Sequence, residues 1–404
     1  MSQASAVKIL DSHHGNDTYH SPALVIEYTD PVEGFKGWLV RDTNLHRLCA
    51  GGMRVQKDLQ VDHLIRMAKN MTLKMRVHNL HVDGAKCGID FPPDSPQKDA
   101  AMLRFINAIK PYLETCYSMG PDLNVEMDEL ESLAQQLGMP SVKMAIAAAQ
   151  GWDLPYFSER TAILKQKING WPLGRLRAGS GVTAAALAVL DFLNIPISKA
   201  TFCIQGFGAL ARSTAFTLHL QGGKIKSIAD AEKCITAIDR AGLDLKRLLA
   251  PRGRSLPDIP TDSAMTFGPP EALWRVPCDI LILAAVEHAI TVGMDTTLDC
   301  KAIVPGANLA ITNEAEERLN ARGVLVLPDF IPGSGGSLSM EGLYGPSSHP
   351  SPTEVLGHID KKMRRTISEV LALSNRRQIS PRTAALDICA RYNAPLDTRP
   401  YDLS

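Results

Sequence analysis

The feature that most restricts this chain's fold is a short apolar run, TFCIQ at 201–205. It leads directly into Gly206, Phe207, Gly208, Ala209, Leu210 and Ala211. The run has the length and the aromatic and β-branched content of a buried strand, and residues 210–220 behind it follow helical spacing. A strand that turns so abruptly into a helix needs backbone without obstructing Cβ atoms. Gly206 permits the tight turn, Gly208 lets a ligand approach the backbone, and Ala211 is small enough for the helix to sit close on the strand. The helix N-terminus adds unpaired N–H groups and the positive end of its dipole, so the pattern predicts a pyrophosphate site. A second strand over 224–229 ends at Asp230, 19 residues past Ala211. A carboxylate there accepts hydrogen bonds from ribose hydroxyls and repels a 2′-phosphate, favouring NAD over NADP. The plainer reading of Asp230 is a solvated residue at a strand end.

Short apolar runs at 279–284, 302–304 and 324–327 alternate with helical segments such as 313–321. That order predicts a parallel, doubly wound, Rossmann-like sheet covered on both faces. At 404 residues the chain is too long for one core, and its first half reads differently. Extended runs at 23–28 and 37–41 precede a helix marked by Val61, Leu64, Ile65, Ala68, Met71 and Met75, with further helices at 100–113 and 127–137. The NGWPLG segment at 169–174 looks like a domain junction, and 181–193 reads as a helix. Leu356, Ile359, Met363, Ile367 and Val370 share one face of a C-terminal helix expected to return to the first domain. The expected division is a first domain over 1–178, a dinucleotide domain over 179–345 and a helical segment over 346–404.

Composition removes several classes of function. Lys plus Arg and Asp plus Glu both number 43, so no net field attracts nucleic acid or an anionic membrane. No apolar run approaches the roughly 20 residues of a spanning helix, and the N-terminus lacks the layout of a secretory signal. The eight cysteines stand singly, without metal-ligand spacing, as expected for reduced thiols in the cytoplasm.

Two glycine-rich segments, read as turns, frame the first helix: Gly51, Gly52, Met53 and Arg54 before it, and 83–88 (DGAKCG) after it. Lys74 lies late on that helix and Lys86 within the second segment. A lysine flanked by glycine and alanine is open to desolvation, which lowers its pKa and suits it to act as a general base or to polarise a carbonyl. Taken singly, either lysine also reads as a solvated surface charge.

Residues 51–91 resemble the glutamate/leucine/phenylalanine/valine dehydrogenase family, in which GG-x-R, a helix ending MTxK and GGAKGG follow in order. The likeness continues through Gly120-Pro121-Asp122, Gly179-Ser180-Gly181-Val182, IQGFG, Ala284-Ala285-Val286-Glu287, Gly306-Ala307-Asn308, Pro328-Asp329 and Gly335-Gly336. It spans about residues 20–345 in collinear order. The resemblance implies a two-domain α/β amino-acid dehydrogenase fold, a homo-oligomer, and reversible NAD(P)-dependent conversion of an L-amino acid to its 2-oxo acid and ammonium. Carried over by position, Lys74 holds the substrate α-carboxylate beside Gly51 and Gly52. Lys86 activates water and polarises the reacting carbon's oxygen, Asp122 exchanges protons with the amino group, and Ala284 and Asn308 join the cofactor site.

Glutamate-specific relatives carry a lysine immediately before GG-x-R and a serine four residues after the final GG. Here those positions are Ala50 and Met340. A side-chain carboxylate between two apolar residues loses hydration without gaining a partner, so an apolar substrate is expected. Glutamate dehydrogenation, and ligand sensing without turnover, are the alternatives. Ala178 replaces a threonine before the Gly-Ser-Gly turn, Gly333 stands where the family has asparagine, and Asp83 and Cys87 replace glycines near Lys86. Asp83 is expected to pair with Lys86 and oppose its activation.

Overall fold

A computed structural model describes residues 7–10, 21–239, 241–250, 253, 255–258, 264–393 and 398–402. Most of the N-terminal stretch read for a signal lies outside them. The chain divides into two compact units.

The first comprises the described residues of Met1–Ala162, with Tyr344–Ser347 and those of Tyr392–Ser404. In chain order it contains β1 (Val7–Leu10), β2 (Leu24–Thr29), β3 (Lys36–Arg41), β4 (Cys49–Gln56), α1 (Val61–Val77), β5 (Asp83–Asp90), α2 (Lys98–Thr115), β6 (Tyr117–Pro121), α3 (Met127–Gln136), α4 (Ala145–Gln150) and α5 (Leu154–Ala162). The sheet order is β1-β2-β3-β5-β4-β6, with β4 parallel to β5 and β6 and the remaining pairs antiparallel. Phe105, Ile106 and Ile109 of α2 and Leu130 of α3 pack on one face. Leu64 and Ala68 of α1 cover Trp38 and Val40 on the other. Both expected glycine turns are strands, β4 and β5, whose glycines serve close packing. Gln150 Nε2 donates to the carbonyls of Tyr344 (3.0 Å) and Tyr401 (2.8 Å), tying the returning segments to this unit.

The second unit comprises the described residues of Ile163–Leu343 and Ser348–Arg391. It begins with a hairpin, β7 (Lys167–Ile168) and β8 (Trp171–Pro172), whose turn residues Asn169 and Gly170 both take positive φ. There follow α6 (Leu173–Phe192), β9 (Thr201–Gln205), α7 (Ala209–Leu220), β10 (Lys224–Ala229), β11 (Cys234–Ala237), α8 (Leu245–Leu249), β12 (Met265–Gly268), β13 (Cys278–Leu283), β14 (Cys300–Pro305), α9 (Asn313–Ala321), β15 (Leu325–Val326), α10 (Gly335–Tyr344), α11 (Pro352–Arg377) and α12 (Pro381–Ala390). The sheet order is β12-β11-β10-β9-β13-β14-β15. Its five parallel strands form the expected doubly wound sheet, and β11 and β12 extend it antiparallel.

Three expectations are corrected. The boundary falls at 162/163, because 178/179 lies inside α6. The Gly-Ser-Gly segment is likewise helix rather than turn: a Cβ on Gly179 would reach Ser213 Oγ at 2.2 Å, and one on Gly181 would reach Gly335 Cα at 2.5 Å. These glycines bring α7 and α10 close to α6. The long helix α11 buries its Ile359, Met363, Ile367 and Val370 stripe within the second unit along α6, itself apolar on nearly every side. The residues after it, from Tyr392, belong to the first unit.

Candidate active site

Side chains alternate along a strand, which sorts the residues of β4 and β5 by face. Cys49, Met53, Val55, Ala85, Cys87 and Ile89 enter the core with α2 and α3. Ala50, Gly52, Arg54 and Lys86 occupy the opposite face, which α1 covers. Glycine allows that approach: a Cβ on Gly84 would lie 2.2 Å from Thr72 N, and Gly84 N donates to Thr72 Oγ1 at 3.2 Å. A Cβ on Gly51 would overlap the Ala85 carbonyl oxygen at 1.6 Å.

Asp122 follows the end of β6. Its N–H donates to Met53 O (3.0 Å), and Asn124, at positive φ, donates Nδ2 to Val55 O (3.0 Å). The loop is therefore fastened along β4. Gly52 leaves room for the carboxylate, since a Cβ there would meet Asp122 Cβ at 2.9 Å. Arg54 Nε (2.7 Å) and Lys86 Nζ (3.2 Å) both converge on Asp122 Oδ2. Oδ1 makes no hydrogen bond among the described residues. Burial alone would raise the carboxyl's pKa, but the charges of Lys86 and Arg54 outweigh it and hold it at about 2. Arg54 Nη1 also donates to Gln56 Oε1 (3.1 Å) and lies 2.8 Å from His63 Nε2. Lys74 is buried in the last turn of α1.

The expected pairing of Asp83 with Lys86 does not occur. Three positions apart on a strand, they face opposite sides, and Asp83 accepts from Arg41 Nη2 (2.6 Å), Thr43 Oγ1 (2.7 Å) and the Leu45 and His46 backbones. Cys87 also faces away from Lys86. Its thiol accepts from Tyr117 OH at 3.3 Å, and burial pushes its pKa up to about 12, so it is not an activated nucleophile. Arg54 was visible in the GG-x-R motif but had no role until the fold placed it on Asp122. Lys143 carried no sequence signal. It is buried and donates Nζ to Met119 O at 2.6 Å, bracing β6.

In the second unit, turns at the carboxyl ends of β9, β13 and β14 meet, the usual ligand crevice of such a sheet. Ala284 N donates to Gln205 O (2.8 Å), and Gly306 N to Leu283 O (2.8 Å). Gly206 has φ +104°, and a Cβ on it would strike Ala285 Cβ at 2.8 Å. Beyond Gly208 nothing lies within 4 Å of where a Cβ would be, leaving the start of α7, at Ala209 and Leu210, open to a ligand. Phe207 is buried beneath the Arg212 guanidinium, 4.9 Å from its ring centroid. Among the described residues Ser180 Oγ and Gln205 Oε1 are buried and find no partner. Such atoms cost about 1–3 kcal/mol each unless something pairs with them. The open glycine cradle and the orphaned Gln205 oxygen beside it both fit a dinucleotide.

Asp230 follows β10 as expected, and it also shapes its own loop. Its carboxylate accepts from the backbones of Glu232 (2.8 Å), Lys233 (2.9 Å) and Leu256 (2.6 Å). A carboxylate offers about four lone-pair positions, so acceptor capacity remains for a ribose. Asn308 lies in the turn after β14, followed by Leu309 at φ +50°. Leu309 N donates to Asp329 Oδ2 (2.9 Å), and Arg382 clasps Asp329 and Glu316 together. Left-handed backbone costs a non-glycine residue about 1–2 kcal/mol, which this bond helps to offset. Asp329→Ala is therefore expected to weaken NADH binding about tenfold, the equivalent of one charged hydrogen bond. Leu309→Gly in the same chain should recover much of that loss, as titration by NADH fluorescence would read. No recovery would mean that Asp329 does not act through this turn.

Gly333 belongs to a short 3-10 turn leading into α10. Met340, on α10, is buried with its sulfur 3.8 Å from Arg177 Nη1, which also donates to Ser339 Oγ at 3.2 Å. Ala50 belongs to the first unit and Met340 to the second. No group of three or more His, Cys, Asp or Glu among the described residues is placed to hold a metal ion, and no described helix is long and apolar enough to cross a membrane.

The sequence matches two family profiles: Glutamate/Leucine/Phenylalanine/Valine dehydrogenase over residues 172–391, and Glu/Leu/Phe/Val dehydrogenase, dimerisation domain, over 22–139. Glutamate dehydrogenase of Thermotoga maritima is 26% identical over 370 residues, covering 88% of this chain and 83% of that protein. NADP-specific glutamate dehydrogenase A1 of Halobacterium salinarum is 26% identical over 320 residues, 78% of this chain and 73% of its own. The NAD-specific glutamate dehydrogenase A of the same organism is 26% identical over 323 residues, 78% and 70%. Among solved structures, the Leu-bound form of hetero-hexameric glutamate dehydrogenase from Thermus thermophilus superposes with a TM-score of 0.71 at 22% identity, covering 91% of this chain and 87% of that one. That likeness establishes the two-domain fold.

Proposed function

Because the chain belongs to the glutamate/leucine/phenylalanine/valine dehydrogenase family, oxidoreductases acting on CH–NH2 donors with NAD(P), we propose that it reversibly deaminates an L-amino acid with an apolar side chain to its 2-oxo acid and ammonium. The observation that carries this reading is the buried Lys86–Asp122–Arg54 cluster. Lys86 donates to the oxygen on the reacting carbon and stabilises charge as it develops there. Asp122 accepts from the substrate amino group. Held near 2 it is a carboxylate at any working pH and a weak base while Lys86 is charged. A proton leaving the substrate nitrogen passes to Asp122 while Lys86 serves the oxygen, so the two side chains divide the proton traffic of the reaction. Arg54 holds the carboxylate in place throughout. Lys74 fixes the substrate α-carboxylate beside Gly51 and Gly52. NAD(P), when bound, accepts the hydride. Gly206–Leu210 would hold its pyrophosphate, Ala284 would line its bed, Asn308 would face its carboxamide and Asp230 would take its ribose, which favours NAD. The dimerisation-domain match supports assembly with copies of this chain, and eight free thiols suit the cytoplasm.

Ala50 and Met340 support the apolar substrate. One observation favours a second reading: the Arg177 guanidinium beside Ser339 and Met340 supplies a cation for a side-chain carboxylate, as glutamate would require. NADH and NADPH oxidation at 340 nm, with ammonium and a panel of 2-oxo acids, decides between them. Turnover of branched-chain acids or phenylpyruvate is expected, faster with NADH. Turnover of 2-oxoglutarate alone would transfer the assignment to glutamate, and silence across the panel with NADH still binding would favour a sensor.

A further inference from the structure

Cys49 and Cys116 stand far apart in sequence, yet the fold places them side by side. Cys49 opens β4, and Cys116 is the single residue between α2 and β6. Cys49 N donates to Cys116 O at 2.8 Å. In the parallel β4–β6 pair Cys49 stands opposite Tyr117, so Cys116 is its neighbour on the adjoining segment, one position out of register. The two thiols also act on each other electrostatically, the pKa of Cys49 being raised and that of Cys116 lowered by the interaction. Cys49 is buried and Cys116 is partly open to solvent. The interaction with Cys49 draws the Cys116 thiol down, against burial and with help from Thr115 and Arg41, to a pKa of about 6. A partly exposed, acidified thiol beside a second thiol is the arrangement that oxidant-sensitive sites require. Asp83 fixes Arg41 at this place through its Nη2.

We propose that Cys49 and Cys116 form an oxidation site, which a hydroperoxide converts to a disulfide that perturbs the substrate side of β4. The Cys116 thiolate attacks one peroxide oxygen, the O–O bond breaks, and the second oxygen leaves as water after protonation. Cys116 is now a sulfenic acid. The Cys49 sulfur attacks the Cys116 sulfur, the S–O bond breaks, and a second water leaves carrying the Cys49 proton. Two thiols have been oxidised and one hydrogen peroxide reduced to two waters.

Closing the bond fixes the two sulfurs at about 2.05 Å from one another. Cys49 directly precedes Ala50, Gly51 and Gly52, and Gly51 is packed too tightly against Ala85 for β4 to move without disturbing its neighbours. The effect on turnover rests on the substrate role proposed for this strand, whereas the oxidation itself does not.

The full-length protein is treated with hydrogen peroxide, remaining thiols are alkylated, and peptides are mapped without reduction. The expected product is a peptide linking Cys49 to Cys116, lighter by two hydrogens and cleaved by dithiothreitol. Dehydrogenase activity should fall several-fold with a raised KM for the 2-oxo acid and return on reduction. Cys116→Ser, with Cys116→Ala as its companion, should have unchanged activity before peroxide and no such loss after it. Peroxide that leaves both cysteines alkylated, carries Cys116 to a sulfinic acid with Cys49 intact, or links other pairs would overturn the site. Linkage without change in an active enzyme would overturn its coupling to β4. A protein without dehydrogenase activity would still report the linkage, which separates failure of this proposal from failure of the assigned reaction.

Discussion

Lys86→Ala is expected to lower turnover by about 10²–10⁴-fold, the range associated with losing a positioned proton donor or acceptor. NADH affinity should be nearly unchanged, because Lys86 belongs to the first unit and the glycine cradle to the second. The loss should appear in kcat more than in KM, since the substrate-holding role proposed for Lys74 and the β4 glycines is untouched. The substitution also removes one of the two cations that keep Asp122 ionised. With burial then opposed only by Arg54, the Asp122 pKa rises from about 2. Residual activity should therefore fall off at a less acidic pH than in the parent. Steady-state rates over a pH series, with NADH binding measured separately, test both parts. Lost NADH binding would mean that the roles of the two units are misassigned.

Gly52→Ala should be nearly as damaging, although it removes no functional group. The new methyl would sit 2.9 Å from Asp122 Cβ and 2.9 Å from the Pro121 carbonyl oxygen, distances that neither side tolerates. Asp122 N is bonded to Met53 O, so the loop yields by carrying the carboxylate away from Lys86 and Arg54. A displacement of about 1 Å at reacting groups costs roughly 10²-fold in rate. The expected variant is folded, binds NADH normally and turns over about a hundredfold more slowly. Gly170→Ala is a useful contrast: no atom lies within 4 Å of its Cβ position, so only backbone strain at φ +84° is introduced. If Gly52→Ala were as active as the parent, the close approach of Asp122 to β4 would not matter for catalysis.

Legibility in the sequence followed the range of the interactions. The Thr201–Gln205 strand, the turn at Gly206–Gly208 and helix α7 all appear where local pattern placed them, because strand, turn and helix start are set by neighbours in sequence. The buried stripe of α1 was readable for the same reason. The glycines of β4 and β5 misled: closely spaced glycines read as a turn, but here their purpose is to admit α1, the Ala85 carbonyl and Asp122, all partners remote in sequence. The Gly-Ser-Gly of α6 misled in the same way.

What the sequence determined by itself was the doubly wound dinucleotide unit and the order of motifs that marks the family, since both reside in short contiguous patterns. The tertiary structure decided which of those residues act together. Strand alternation turned Asp83 and Cys87 away from Lys86, although each lies within three positions of it. Parallel pairing of β4 with β5 and β6 brought Arg54 and Lys86 onto one oxygen of Asp122, 68 residues from Arg54. The physical reason is that the charge state of a buried group depends on what stands within a few ångströms of it, and that neighbourhood is assembled only when the sheet closes.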